Sequence, residues 1–395
     1  MKKYTWSNRR FSLLHLTAAV VVTLLLTLAG VALAAWTVLG PGGLTLLEGL
    51  GLIRTSFVGE YEESDVIDNA MAGMIAGTGD RWSYYLSPES YQAEMEHRAN
   101  AYVGIGVTVD YSREEGLSIV GVTAGGPAEE AGLQPGELIT AVDGVSAAGE
   151  DREEAMDLIQ GEEGTTVVLT VQDEAGTERE VTVERRNIES DPVSYEMLEG
   201  DVGYVQISNF FSRSADGLKA AVDDLQSRGA RALVFDVRNN GGGYLDELTA
   251  MLDYLLDEGP ILQTRSHTGA EEVVESDAAC VDLPMAVLVN ADTYSAAEIF
   301  AGELQERGVG VIVGVPTSGK GYSQQTFLLP NGGAVGLSTA AYFTGEGVSL
   351  IGTGLTLDRE VALTEEQAAQ LAAGTLEHGE DPQLQAALEL LQEGA

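Results

Sequence analysis

Cysteine is almost missing from this chain: Cys280 stands alone among 395 residues. That excludes an intramolecular disulfide and makes a cysteine-based metal site untenable. Histidine is scarce too. His15, His97, His267 and His378 lie far apart in sequence, and none sits in a metal or catalytic-triad motif. Positive charge is short, with 21 basic residues against 62 acidic ones and a net charge of −41. Such a balance argues against binding nucleic acid or an anionic membrane surface. Lysine is the rarest base, at Lys2, Lys3, Lys219 and Lys320 only. The acidic residues are spread along the chain, which fits a solvated folded protein rather than a disordered tail. The length leaves room for two or three domains with real cores.

One long apolar run is present. Lys2, Lys3, Arg9 and Arg10 precede an uncharged stretch from Phe11 to Leu47. Its apolar part, to about Trp36, can cross a hydrocarbon core of ~30 Å. Basic residues on the short side place the N-terminus in the cytoplasm and the rest outside. Ala32-Leu33-Ala34 resembles a signal-peptide cleavage site, but the run exceeds the ~7–15 residues of a signal-peptide core. An uncleaved anchor is therefore favoured; cleavage would give the same domains in secreted form.

Gly40-Pro41-Gly42-Gly43 breaks the membrane helix, so residues 1–43 read as tail and anchor. Residues 44–100 read as helical, with an apolar stripe through Val66, Ile67, Ala70, Met71 and Met74. Between 101 and 186 short strands alternate with turns such as Asp143-Gly144, around one helix from Asp151 to Gln160. This predicts a small α+β domain. From 187 to 364 the pattern is α/β, with strands over 202–210, 232–237, 285–289 and 310–313 alternating with helices over 217–226, 245–256 and 295–306. That alternation predicts a largely parallel sheet covered on both faces. Residues 365–395 read as an acidic helical tail.

Three segments could carry chemistry. Ser295 follows a buried strand and opens a helix. Ser295-x-x-Glu298 is a capping-box pattern, and a serine there is ordinarily a cap. The same geometry exposes a serine at the sheet edge, with the next amide, Ala296 N–H, free to stabilise an oxyanion. Gly314 to Gly321 nearly matches a P-loop, but Gly321 replaces the magnesium-binding Ser/Thr and no helix follows. Lys320 is left in a Gly-Lys-Gly turn between apolar strands, where burial would lower its pKa and make it a base. Asp236 to Gly243 ends in three glycines that allow close backbone approach, with Gly242 N–H as a second oxyanion donor.

Together these pieces resemble the carboxyl-terminal processing (tail-specific) serine peptidases. The matching motifs are Asp236 to Gly243, Tyr294-Ser295-Ala296-Ala297-Glu298, and Gly319-Lys320-Gly321-Tyr322-Ser323-Gln324. The resemblance implies a crotonase/ClpP-like α/β peptidase core with a Ser–Lys pair. Ser295 would be the nucleophile, Lys320 the general base and Gln324 the residue orienting it, with Gly242 and Ala296 as the oxyanion hole. The middle domain resembles the family's PDZ module. Gly104, Ile105, Gly106 and Val107 match the loop whose amides take a peptide's terminal carboxylate. Ser83-Tyr84-Tyr85-Leu86 resembles the family's helical cap. Departures are Gly241 where proline is common, Ala297 and Ser318 for serine and phenylalanine, and Leu357 for proline. None removes a reacting group. The expectation is a membrane-anchored, extracytoplasmic endopeptidase acting on proteins or peptides with free C-termini. It needs no cofactor or metal, binds no nucleic acid, and is compatible with a homo-oligomer. The rival is an inactive PDZ scaffold that binds peptides.

Overall fold

The computed structural model describes residues 13–173 and 175–393. Lys2, Lys3, Arg9 and Arg10, on which the membrane orientation rests, lie outside the described residues. Contacts divide the chain into two units, one ending at Ile67 and one beginning at Asp68. In the first, a helix runs Leu13–Ser56 with one interruption at Gly40, whose φ of 59° and ψ of −175° are not helical. Glycine adopts that conformation freely, and Pro41 then suits the first turn of the resumed helix, where its missing N–H costs nothing. The expected break is a kink rather than an end. Among the described residues, His15–Ser56 is the one helix long and apolar enough to cross a membrane.

The second unit is built on a six-stranded sheet in the order Val193–Leu198, Val202–Ile207, Ala232–Asp236, Met285–Val289, Gly310–Gly314, Arg359–Glu360. Only the first pair is antiparallel. The apolar strands carry two cores because their side chains alternate in direction. Met285, Val287 and Val289 pack with helices Ser214–Ser227, Leu245–Leu255 and Ala296–Glu306. Ala286 and Leu288 pack with Leu384, Ala387 and Leu391 of the helix Pro382–Glu393. A second sheet, which the alternation did not lead us to expect as a unit, pairs Ala334–Phe343 with Tyr84–Leu86, Tyr322–Leu328 and Gly259–Ser266, the last in a hairpin with Glu271–Ser276.

The middle domain is an antiparallel sheet of Val107–Asp110, Leu117–Val122, Leu138–Val142, Thr166–Gln172 and Glu178–Glu184. The helix Arg152–Ile159 closes its core through Ala155 and Ile159. The two segments that tie it to the rest, Ala101–Gly104 and Arg186–Glu189, pair with each other. Arg213 clasps their ends, donating to Asn100 O at 2.8 Å and Ser190 O at 2.9 Å.

A buried ion cluster joins the C-terminal helix to the strand below the glycine segment. Arg238 donates to Asp236 Oδ1 at 2.9 Å, to Asp381 Oδ2 at 2.8 Å and to Gln383 Oε1 at 2.9 Å, while Tyr204 donates to Asp236 Oδ2 at 2.6 Å. The side chains of Arg238, Asp236 and Asp381 are at most 2% exposed. Removing one partner of a buried pair strands the other's charge. Arg238→Ala should therefore lower unfolding free energy by ~3–5 kcal/mol in a denaturant titration. A loss under ~1 kcal/mol would show that water reaches the two carboxylates.

Candidate active site

The strand Met285–Val289 delivers its chain to a turn stitched to the glycine segment. Thr293, fully buried, donates to Val237 O at 2.8 Å, Asn290 donates to Asn239 Oδ1 at 2.7 Å, and Tyr294 N–H donates to Asn240 O at 3.1 Å. At the end of this turn Ser295 has φ 62° and ψ −127°. Such backbone in a non-glycine residue costs about 1–3 kcal/mol and persists only when the surroundings enforce it. Ala296 then opens the helix, whose first amides lack intrahelical acceptors.

Gly242 lies directly against this elbow, with φ +85°. A Cβ there would come within 2.8 Å of Ala296 N and of Ser295 Cβ. Only glycine fits so close to the serine. The Gly242 N–H donates to Asn240 Oδ1 at 2.8 Å, and buried Asn240 in turn donates to Ile207 O at 2.7 Å.

Glu298 does more than the capping-box reading assigned to it. Its side chain is fully buried in the Ala296–Glu306 helix. Oε2 accepts Ser295 N–H at 3.1 Å and Lys320 N–H at 3.0 Å; Oε1 accepts the Thr317 hydroxyl at 2.6 Å and Gly319 N–H at 2.8 Å. One carboxylate thus bridges the backbones of two residues 25 apart in sequence. Burial raises its pKa above the ordinary carboxylate range, against the pull of those four donors.

Lys320 sits in the loop between the two sheets. Burial first, and the Arg98 guanidinium second, push its pKa down to about 8, while Asp80 and Glu298 act the other way. Its Nζ lies 4.9 Å from the Trp82 ring centroid and 5.7 Å from that of Tyr294. Tyr342 donates to Lys320 O at 2.6 Å. Burial pushes the Tyr342 phenol far above its usual pKa, with the Ser295 hydroxyl as a hydrogen-bonding neighbour that acts against it.

Ser295, Lys320, Gln324 and Gly242 line one cavity of about 1120 Å³. They are brought together but not hydrogen-bonded to one another: Gln324 donates to Tyr322 O at 2.8 Å and Ser338 Oγ at 3.1 Å. Trp82, Arg98, Tyr342 and His97 line the same cavity. The sequence reading missed Trp82, Arg98 and Tyr342 and set His97 aside as lacking a catalytic motif. His97 meets the Phe211 ring edge to face, with centroids 5.2 Å apart. Trp82 carried a signal that went unused, being the sole tryptophan beyond the apolar N-terminal run.

In the middle domain Gly104 pairs opposite Arg186, and Ile105 is 1% exposed within the core. Ile105 O accepts Ala128 N–H and Gly106 O accepts Thr123 N–H, each at 2.9 Å, and Gly106 has φ +78°. Val107 starts the strand that has one paired neighbour, Leu117–Val122.

Comparison with known proteins accords with this geometry. Residues 201–361 match the profile of peptidase family S41, and residues 118–173 match that of the PDZ domain. A carboxy-terminal-processing protease of Bartonella bacilliformis is 32% identical over 78% of this chain and 72% of its own length. The chain belongs to the carboxyl-terminal-processing proteases of peptidase family S41. CtpA of Bacillus subtilis, from the same family, is 32% identical over 75% of this chain and 64% of its own length. A Bacteroides fragilis structure assigned to the S41 proteases covers 86% of this chain and 93% of its own, at 21% identity and a TM-score of 0.55. It shares the fold. In this S41 chain the PDZ domain is the middle domain described above.

Proposed function

We propose that this chain is a serine endopeptidase in which Ser295 is the nucleophile and Lys320 the base. The observation that carries the reading is the strained serine elbow facing the same cavity as a half-buried lysine with a depressed pKa. Ser295 Oγ attacks the scissile carbonyl, neutral Lys320 takes the hydroxyl proton, and water hydrolyses the acyl-enzyme. Ala296 N–H and Gly242 N–H would hold the oxyanion and Gln324 would orient the amine. For that, Gly242 must leave Asn240 and Gln324 must leave Tyr322 and Ser338. Substrate binding would therefore assemble a site that rests apart. Lysine must be neutral to act, so kcat/KM should rise with pH through about 8 and level off above it.

The reading places boundaries at residues 43, 100, 186 and 364, a crotonase/ClpP-like core, and an anchor that holds the peptidase outside the cytoplasm. The PDZ domain would take a substrate's C-terminus at Gly104–Val107 as an added strand beside Val107–Asp110. Ile105 is buried in the domain core, so Val107 is the residue left to meet the last side chain.

Paired peptides, one a free acid and one a C-terminal amide, test this. The free acid should be cleaved several-fold faster, and a variant lacking 102–186 should lose the preference. Equal rates in the full chain would remove tail recognition from the proposal. The inactive-scaffold reading would show as binding of the free acid without any turnover.

A further inference from the structure

Lys320 presents an unusual problem of charge. The residue is half-buried and lines the cavity, and among the described residues no side chain or carbonyl accepts a hydrogen bond from Nζ. Its neighbours are two aromatic faces, Trp82 at 4.9 Å and Tyr294 at 5.7 Å. Both hold a cation by the ring quadrupole, and tryptophan does so best. Trp82 is fixed from several sides. Arg81 lies 4.2 Å from its centroid and also reaches within 3.5 Å of Ser318 Oγ, two residues before Lys320. Tyr294 packs against it at 5.7 Å, tilted by 37°. Asp80, at the start of the same turn, accepts the Trp82 N–H at 3.1 Å and the Ser83 hydroxyl at 2.6 Å.

We propose that Trp82 is a positioning residue for the base, its indole face seating the Lys320 ammonium away from Ser295 until the amine loses its proton. The seat selects for charge. A protonated amine is drawn strongly to the ring, whereas a neutral amine, which can offer it only a weak N–H contact, is held far less. Proton loss therefore makes Lys320 competent as a base and releases it from the ring in one event. The groups facing Nζ set where this happens. Burial and Arg98, from the helix Pro88–Arg98, favour the neutral form. Asp80 and, from the nucleophile's helix, Glu298 favour the charged one. Arg81 adds positive charge on the indole, and Tyr342, from the strand Ala334–Phe343, stays a neutral phenol. Trp82 adds to the side that retains the proton. Glu298 fixes the Lys320 backbone, so only the side chain has to move.

The inference rests on reading Lys320 as the base, but its test needs no turnover. The chain has four lysines, so the full chain in detergent, labelled with ¹³C at lysine Cε, gives few signals, and Lys320→Ala assigns the one of interest. We expect the Lys320 signal to be displaced upfield by the indole ring current and to titrate well below free lysine. Trp82→Leu should remove most of the displacement, leaving only what Tyr294 contributes, while the Lys219 signal, over Tyr254 at 5.2 Å, reports that the fold is retained. Leucine also changes packing, so the charge effect is isolated with fluorinated tryptophan, which weakens the ring face at nearly constant shape. In a Trp6→Phe, Trp36→Phe background only Trp82 carries the fluorine. The Lys320 midpoint should then fall, by a part of the roughly 0.4–1.5 pH units that losing the whole interaction would give, as should the pH midpoint of kcat/KM. A Lys320 midpoint unmoved by fluorination, or an upfield displacement undiminished by Trp82→Leu, would overturn the seat. The expected shifts in a chain that cleaves nothing would sustain the seat and count against the peptidase reading alone.

Discussion

Ser295→Ala and Lys320→Ala should each lower kcat by roughly 10⁴–10⁶-fold. The two side chains share one cavity, and in the proposed reading Ser295 is the nucleophile and Lys320, half-buried with its pKa pushed down to about 8, is the base. Members of one catalytic unit are not additive, so the double variant should be no slower than the worse single one. The fold should survive both changes. Ser295→Ala keeps the Cβ and the Glu298 contact, which is made by the Ser295 backbone amide. Lys320→Ala keeps the backbone bonds to Glu298 and Tyr342. Cleavage of an unfolded protein by the full chain measures the rate, and a denaturant midpoint checks the fold. A single variant with near-normal turnover would end the assignment. His97→Ala is the control: it lines the cavity, and its effect should be mild.

Glu298→Ala should be the next most damaging change, and it touches neither reacting group. Four donors lose their acceptor at once, at Ser295, Thr317, Gly319 and Lys320. Each buried donor left unpaired costs ~1–3 kcal/mol. Even with water replacing some of them, a stability loss of at least ~3 kcal/mol is expected. Activity should fall further than folding explains. Displacing reacting groups by ~1 Å costs about 10²-fold, and here the proposed nucleophile and base lose their common tether. Glu298→Gln keeps the size and one acceptor oxygen but turns an NH2 toward N–H donors, so it should lie between. Rates measured where the variant is still fully folded separate the two losses. If Glu298→Ala kept its kcat under those conditions, the bridge would be structural only.

Much of this was legible where one physical cause dominates. Met285–Val289 is apolar at every position, and its observed bounds match those read from sequence, because a strand buried on both faces admits nothing else. The elbow and the glycine segment were legible from residue type, since Gly242 fits only as glycine. The Gly259–Ser276 hairpin was not. Its strand Glu271–Ser276 is largely exposed and acidic, so no apolar alternation marks it. Nor did spacing show that Tyr322–Leu328 and Gly259–Ser266 share one sheet through Ala334–Phe343, which is a long-range pairing. Glu298 looked like a cap because its Ser295 contact is local, whereas its contacts to 317–320 arise only in the folded chain. Trp82 and Arg98 reach the site from about 200 residues away, and no local pattern reports that.

The ion cluster around Arg238 also bears on the order in which the chain is made. Arg238 stands two residues before Asn240, the partner of Gly242, and its partner Gln383 comes 145 residues later. At 5–20 residues per second, that interval is roughly 7–30 s of synthesis. During it the serine, the lysine and the glycines have all emerged, while the segment below them holds a guanidinium whose distal partners do not yet exist. The pairing of Arg238 with Asp381 and Gln383 is therefore among the last contacts to form beneath the glycine segment.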